Sequence, residues 1–99
     1  MIERELSFDV QAHSADSIQR AAYRFSDRLS IELVADDQAF RCRTFLLSDD
    51  EEQAALTIHE FRAEVLDQVL RERIRDETAG VRNVILALAF SQTGLAQQD

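Results

Sequence analysis

Leu6, Phe8, Val10 and Ala12 alternate with Ser7, Asp9, Gln11 and His13. A period of two is what a half-buried strand requires, so residues 5–13 predict a first strand. Ser14 follows as a helix N-cap, because its hydroxyl can accept from a free first-turn amide, and Asp16 suits the positive end of the helix dipole. Ile18, Ala21, Ala22, Phe25 and Leu29 then recur at helical spacing and predict an amphipathic helix over 15–29. Ile31, Leu33 and Ala35 alternate around Glu32 as a second strand, and Asp36-Asp37-Gln38 supplies a hairpin turn. The run from Phe40 to Leu47 is the third strand. Phe40, Cys42, Thr44 and Leu46 share one face; Arg41, Arg43, Phe45 and Leu47 share the other. Both faces end apolar, which leaves the register open.

Ser48-Asp49-Asp50-Glu51 has the spacing of a capping box, with Ser48 serving the amide at Glu51. A long helix is predicted from Asp49 to Asp76. Its apolar stripe holds Ala55, Ile58, Phe61 or Arg62, Val65, Leu66, Val69, Leu70 and Ile74. Arg71, Arg73 and Arg75 favour the negative end of its dipole. Thr78-Ala79-Gly80 predicts a corner, with Gly80 as the left-handed position. A last helix over 81–93 carries Val81, Val84, Ile85, Leu88 and Ala89, widened by Leu86 and Phe90, and Gly94–Asp99 should fray. The fold class is therefore α+β: a small antiparallel sheet of about three strands against amphipathic helices, in the order β-α-β-β-α-α. The chain reads as a single domain over 1–99. Its long penultimate helix, about 28 residues or roughly 42 Å, exceeds the width of so small a globule, whose radius of gyration is about 13 Å. Such a helix either breaks or extends, and an extended apolar stripe invites a second copy or a partner.

Charge narrows the list of partners. The net charge is −8, and all eleven basic residues are arginine. Nucleic acid is excluded as a partner, because phosphate binding needs a basic face. Residues 1–48 carry −2 and residues 49–99 carry −6. The acidic half suits either a solvated face or a basic protein or peptide. The longest unbroken apolar run, Val84–Phe90, is far short of the roughly 20 residues that cross a bilayer, so no membrane role is expected. MIERELSFDV is too charged for a secretory signal. The lone Cys42 fits a reducing, cytoplasmic setting.

Catalytic chemistry finds little support. His59-Glu60 begins a zinc-protease pattern, but the position that would complete it is Ala63. His13 and Cys42 have no local partner at ligand or nucleophile spacing. Two glycines cannot build a common phosphate loop. No catalytic, metal-binding or cofactor-binding residue is therefore expected, and the chain reads as non-enzymatic. Tyr23 and Arg24 on the first helix, with Arg41, Arg43 and Phe45 on the third strand, are the candidate contacts for a peptide or partner. The arginines either form a cationic surface for an acidic peptide or pair with neighbouring acids. An exposed sheet edge is a second device by which an extended chain could bind.

Two blocks, AAYRFSDR and LRERIRDETAGVRNVILALAF, carry a resemblance. In order and spacing they are similar to the HxsD family of small proteins of the His-Xaa-Ser system, over about residues 6–91. The resemblance implies a non-catalytic accessory or adaptor protein in a bacterial, cytoplasmic peptide-modification cassette of the ribosomal-peptide type. The implied partners are radical S-adenosylmethionine, iron–sulfur enzymes, a precursor peptide, or both. The chain lacks clustered cysteines for such a cluster, so the cluster is expected in the partners. Glu77, Arg82 and Asn83 are the polar members of the second block; they either contact a partner or join two helices. A homodimer or hetero-complex is expected, and a purely structural dimerisation protein is the alternative.

Overall fold

A computed structural model describes the backbone of residues 1–93 and the side chains of residues 1–79. The chain divides into two compact units, Met1–Val69 and Leu70–Asp99. Five elements follow one another: β1 (Ile2–Asp9), α1 (Ala15–Arg24), β2 (Leu29–Ala35), β3 (Ala39–Leu46) and α2 (Glu51–Thr93). The α+β class and the three-stranded antiparallel sheet are as the patterning predicts.

In the first unit the sheet order is β1-β3-β2, with β3 antiparallel to both neighbours. The α1 crossover carries the chain from one edge to the other, and the β2–β3 hairpin returns it to the middle. Leu6 faces Cys42 across one ladder and Cys42 faces Leu33 across the other. Leu6, Phe8, Leu29, Cys42, Thr44 and Leu46 are buried on one face of the sheet, with Ile18, Ala21 and Phe25 near α1 and Ala54, Phe61 and Val65 from α2. The open register question resolves accordingly: Cys42, Thr44 and Leu46 point inward, Arg41 and Arg43 outward. An antiparallel sheet with one packed and one solvated face is stable because the pleat segregates the two sets of side chains.

Local chemistry moves several boundaries. β1 ends at Asp9 rather than His13. The Asp9 carboxylate accepts from the Gln11 amide (2.8 Å) and its carbonyl from Ala12 and His13, so a turn replaces the last alternation. Ser14 caps α1 as expected, accepting from Ser17 N–H at 3.0 Å while the Ser17 hydroxyl oxygen accepts from Ser14 N–H. α1 stops at Arg24, with Phe25 as its C-cap. Leu29, expected in the helix, begins β2; its spacing from Phe25 fits a helix only because both residues face the same core. The N-cap of α2 is Asp50, not Ser48: Asp50 Oδ1 accepts from Glu52 N–H at 3.0 Å, and the Asp50 carbonyl accepts the first helical bond from Ala54. Ser48 instead accepts from Asp50 N–H.

The corner expected at Thr78–Gly80 is replaced by helix, so the order is β-α-β-β-α. Thr78 and Ala79 lie within α2, and the Thr78 hydroxyl donates to the Ile74 carbonyl at 2.9 Å. One glycine costs a helix only about 1 kcal/mol, which does not compel a stop. The apolar face expected from Val81 to Phe90, and the frayed tail over 94–99, lie outside the described side chains.

Candidate functional site

The solvated face of the sheet is built from the residues that alternate with the core. β1 contributes Glu3, Glu5, Ser7 and Asp9; β3 contributes Arg41, Arg43 and Phe45; β2 contributes Ser30, Glu32 and Val34. Glu3, Arg4, Glu5, Glu32, Val34, Arg41 and Arg43 line a shallow depression across it. A second depression, sharing Arg41, continues towards the turns at Asp9–Gln11 and Asp37–Gln38.

Each arginine of the central strand is matched by acids. Arg43 Nε lies 3.2 Å from Glu3 Oε1 and its Nη1 lies 3.8 Å from Glu32 Oε2, so one guanidinium bridges both outer strands. Arg43 also stands 5.5 Å from the Phe45 ring centroid. Arg41 Nε lies 2.9 Å from Asp36 Oδ2 at the hairpin turn. The Gln38 and Ala39 amides, and then Arg41, hold the Asp36 carboxyl at about 2, below its usual range. Glu5 stands directly across from Arg43 in register, but the guanidinium reaches to Glu3 and Glu32 instead. With Glu3, Glu5, Asp9 and Glu32 against two arginines, the face is acidic rather than cationic.

The expected contact residues fall into separate places. Arg41, Arg43 and Phe45 share the open sheet face. Tyr23 and Arg24 lie on α1, whose Ile18 and Ala21 pack on the opposite face, so the two groups do not form one cationic surface. Tyr23 is 82% exposed, and Arg24 Nε lies 3.5 Å from Glu64 Oε2. Glu77 is exposed on α2, in the second unit. Arg82 and Asn83 lie outside the described side chains. Patterning passed over Glu3 and Glu5, whose only sequence signal is their alternation with Arg4 and Leu6.

Reactive groups are placed away from this face. Cys42 is fully buried (0% exposed), and that burial pushes its thiol up to about 11 against the pull of Arg62. His13 packs edge-on to Phe8, with ring centroids 5.1 Å apart, and its Nδ1 is 3.0 Å from the Asp9 carbonyl. Among the described residues, no group of three or more His, Cys, Asp or Glu side chains could hold a metal ion. Among the same residues, no helix is long and apolar enough to cross a membrane. The sheet face presents charged side chains to solvent.

A family model described as "His-Xaa-Ser system protein HxsD" matches residues 8–96, nearly the whole chain. No curated protein and no solved structure matches it.

Proposed function

We propose, since the chain belongs to the HxsD family, that it serves the His-Xaa-Ser system as a non-catalytic accessory protein. It binds the precursor peptide, the radical S-adenosylmethionine enzymes that modify that peptide, or both. The family match over residues 8–96 carries this reading. An exposed, charged sheet face and a buried, un-ionised Cys42 are consistent with binding rather than bond-making. Calorimetric titration of the purified chain with the precursor peptide and with each modifying enzyme tests it. Micromolar binding to one of them supports the adaptor; no binding to any sinks it. Unchanged peptide modification after Cys42, His13 and His59 are each replaced by Ala supports a non-catalytic role; abolished modification overturns it.

A structural dimer is the second reading. Leu56 and Leu66 of α2 are exposed in the first unit, as are Leu70 and Ile74 in the second. Isolated apolar residues on a surface are ordinary, but a helical series of them suits self-association. Sedimentation over a range of concentrations decides it, since a strict monomer ends this reading.

A further inference from the structure

Three antiparallel strands in the order β1-β3-β2, connected as β-α-β-β-α, form a split β-α-β unit lacking the strand that would follow the second helix. In the complete arrangement that fourth strand lies beside β1. Among the described residues nothing occupies that place. The direction of the outer hydrogen-bonding groups of β1 follows from one contact. Val10 N–H donates to the Gln38 carbonyl, 3.1 Å, on the β3 side. Because alternate residues of a strand turn their peptide groups the same way, Phe8, Leu6, Arg4 and Ile2 also face β3. The amides of Glu3, Glu5 and Ser7 and the carbonyls of Glu5 and Ser7 are therefore turned to the free edge; the Glu3 carbonyl, on the same side, accepts from Arg4 Nη1 at 2.8 Å.

The two flanks of this edge differ. On the solvated face stand the Glu3 and Glu5 carboxylates. On the packed face α2 runs beneath β1: Arg4 Nη2 is 2.8 Å from Glu51 Oε2, and the Arg62 guanidinium is 5.6 Å from the Phe8 ring centroid. Between these two anchors, at positions i+4 and i+7 from Glu51, α2 carries Ala55 and the half-buried Ile58 along the same side of the helix. A strand laid beside β1 would meet acids with one set of alternate side chains and an apolar ledge with the other.

We propose that the free edge of β1 binds an extended peptide segment as a fourth strand, one whose alternate residues are basic and apolar. Main-chain hydrogen bonds to Glu5, Ser7 and the Glu3 amide hold it, and the Glu5 carboxylate, with Glu3 beside it shared with Arg43, selects its charge. A second copy of β1 is disfavoured as occupant, because antiparallel self-pairing sets like carboxylates opposite one another. Whether the segment belongs to the precursor peptide rests on the accessory role argued above; its place on the sheet does not.

The test uses two probes. One is a synthetic eight-residue peptide alternating valine and arginine, matching β1 in length, with a counterpart carrying glutamate for arginine. The other is the precursor peptide of the same system. The valine–arginine peptide should bind and slow amide exchange at Glu3, Glu5 and Ser7, leaving Ile31 and Leu33 on the β2 edge unchanged. The glutamate counterpart should bind at least about tenfold more weakly. Ser7→Pro should weaken binding about tenfold while the protein stays folded, because it removes only an outward N–H at an edge. Glu5→Arg should reverse the preference between the two peptides. Protection on the β2 edge, unchanged affinity in both variants, or protection of β1 by self-association without peptide would overturn the proposal. Precursor binding without protection of β1 overturns this inference and leaves the accessory role standing. Valine–arginine binding at β1 with no binding of the precursor or of any modifying enzyme does the reverse, and no binding of the valine–arginine peptide, the precursor or the enzymes overturns both.

Discussion

Replacing Phe61 with alanine removes the side chain on which β1, α1 and α2 meet. Phe61 is fully buried (0% exposed), with its ring centroid 6.3 Å from Phe8 on β1 and 5.8 Å from Phe25 at the end of α1. Both contacts are edge-to-face, the arrangement in which the positive ring edge meets the negative ring face. A buried Phe→Ala change costs about 3–5 kcal/mol, from lost transfer free energy and the cavity left behind. Two edge-to-face pairs, each contributing about 0.5–1.5 kcal/mol, place this site in the upper half of that range. A domain of this size has about 5–15 kcal/mol of stability in total. Phe61→Ala therefore removes about a quarter of it or more and lowers Tm by about 16–40 °C. Thermal and urea unfolding followed by circular dichroism measure the loss, with Tyr23→Ala as the control. Tyr23 is 82% exposed, so its truncation should stay within about 0.5 kcal/mol. A loss below about 1.5 kcal/mol for Phe61→Ala, or equal losses for the two variants, would refute the placement of Phe61 at the centre of the core.

Three other outcomes follow from single groups. Cys42, buried and with its thiol pushed up to about 11, should resist a disulfide reagent at pH 8 in the native protein and react at once in denaturant; rapid native labelling would contradict its burial. The Asp36 carboxyl should titrate by NMR at about 2 rather than at its ordinary 3.8. A depressed folded pKa gives stabilisation that is complete above the unfolded value and lost as pH falls from 3.8 towards 2, so the acid limb of the stability profile should flatten in Asp36→Asn. Asp50→Ala should cost about 1 kcal/mol through loss of the α2 cap and more than Ser48→Ala does; the opposite order would restore Ser48 as the cap.

Periodicity made the faces of the elements legible, and for a physical reason. Side chains alternate in a strand and recur every three to four residues in a helix, so Leu6, Phe8, Cys42, Leu46, Ile18 and Phe61 declare their burial without knowledge of their neighbours. Boundaries were less legible, because core-facing spacing does not distinguish one element from the next. Leu29 lies four residues after Phe25 and reads as helix, yet it is the first inward residue of β2. Gly80 reads as a stop, yet α2 runs from Glu51 to Thr93, since one glycine costs less than a well-formed helix gains by continuing. Pairing order was not legible at all. The Asp36-Asp37-Gln38 turn ties β3 to β2, but nothing in the spacing of β1 says on which side of β3 it lies. Glu3 and Glu5 acquire meaning only from that order. Placed beside β3 alone, they neutralise or approach Arg43; placed on an outermost strand, they also flank the peptide groups of a free edge, of which the Glu3 carbonyl accepts from Arg4. A strand's faces are a property of its own sequence, whereas its edge belongs to the whole sheet. That is why the free edge of β1 is visible in the topology and not in the sequence of the strand.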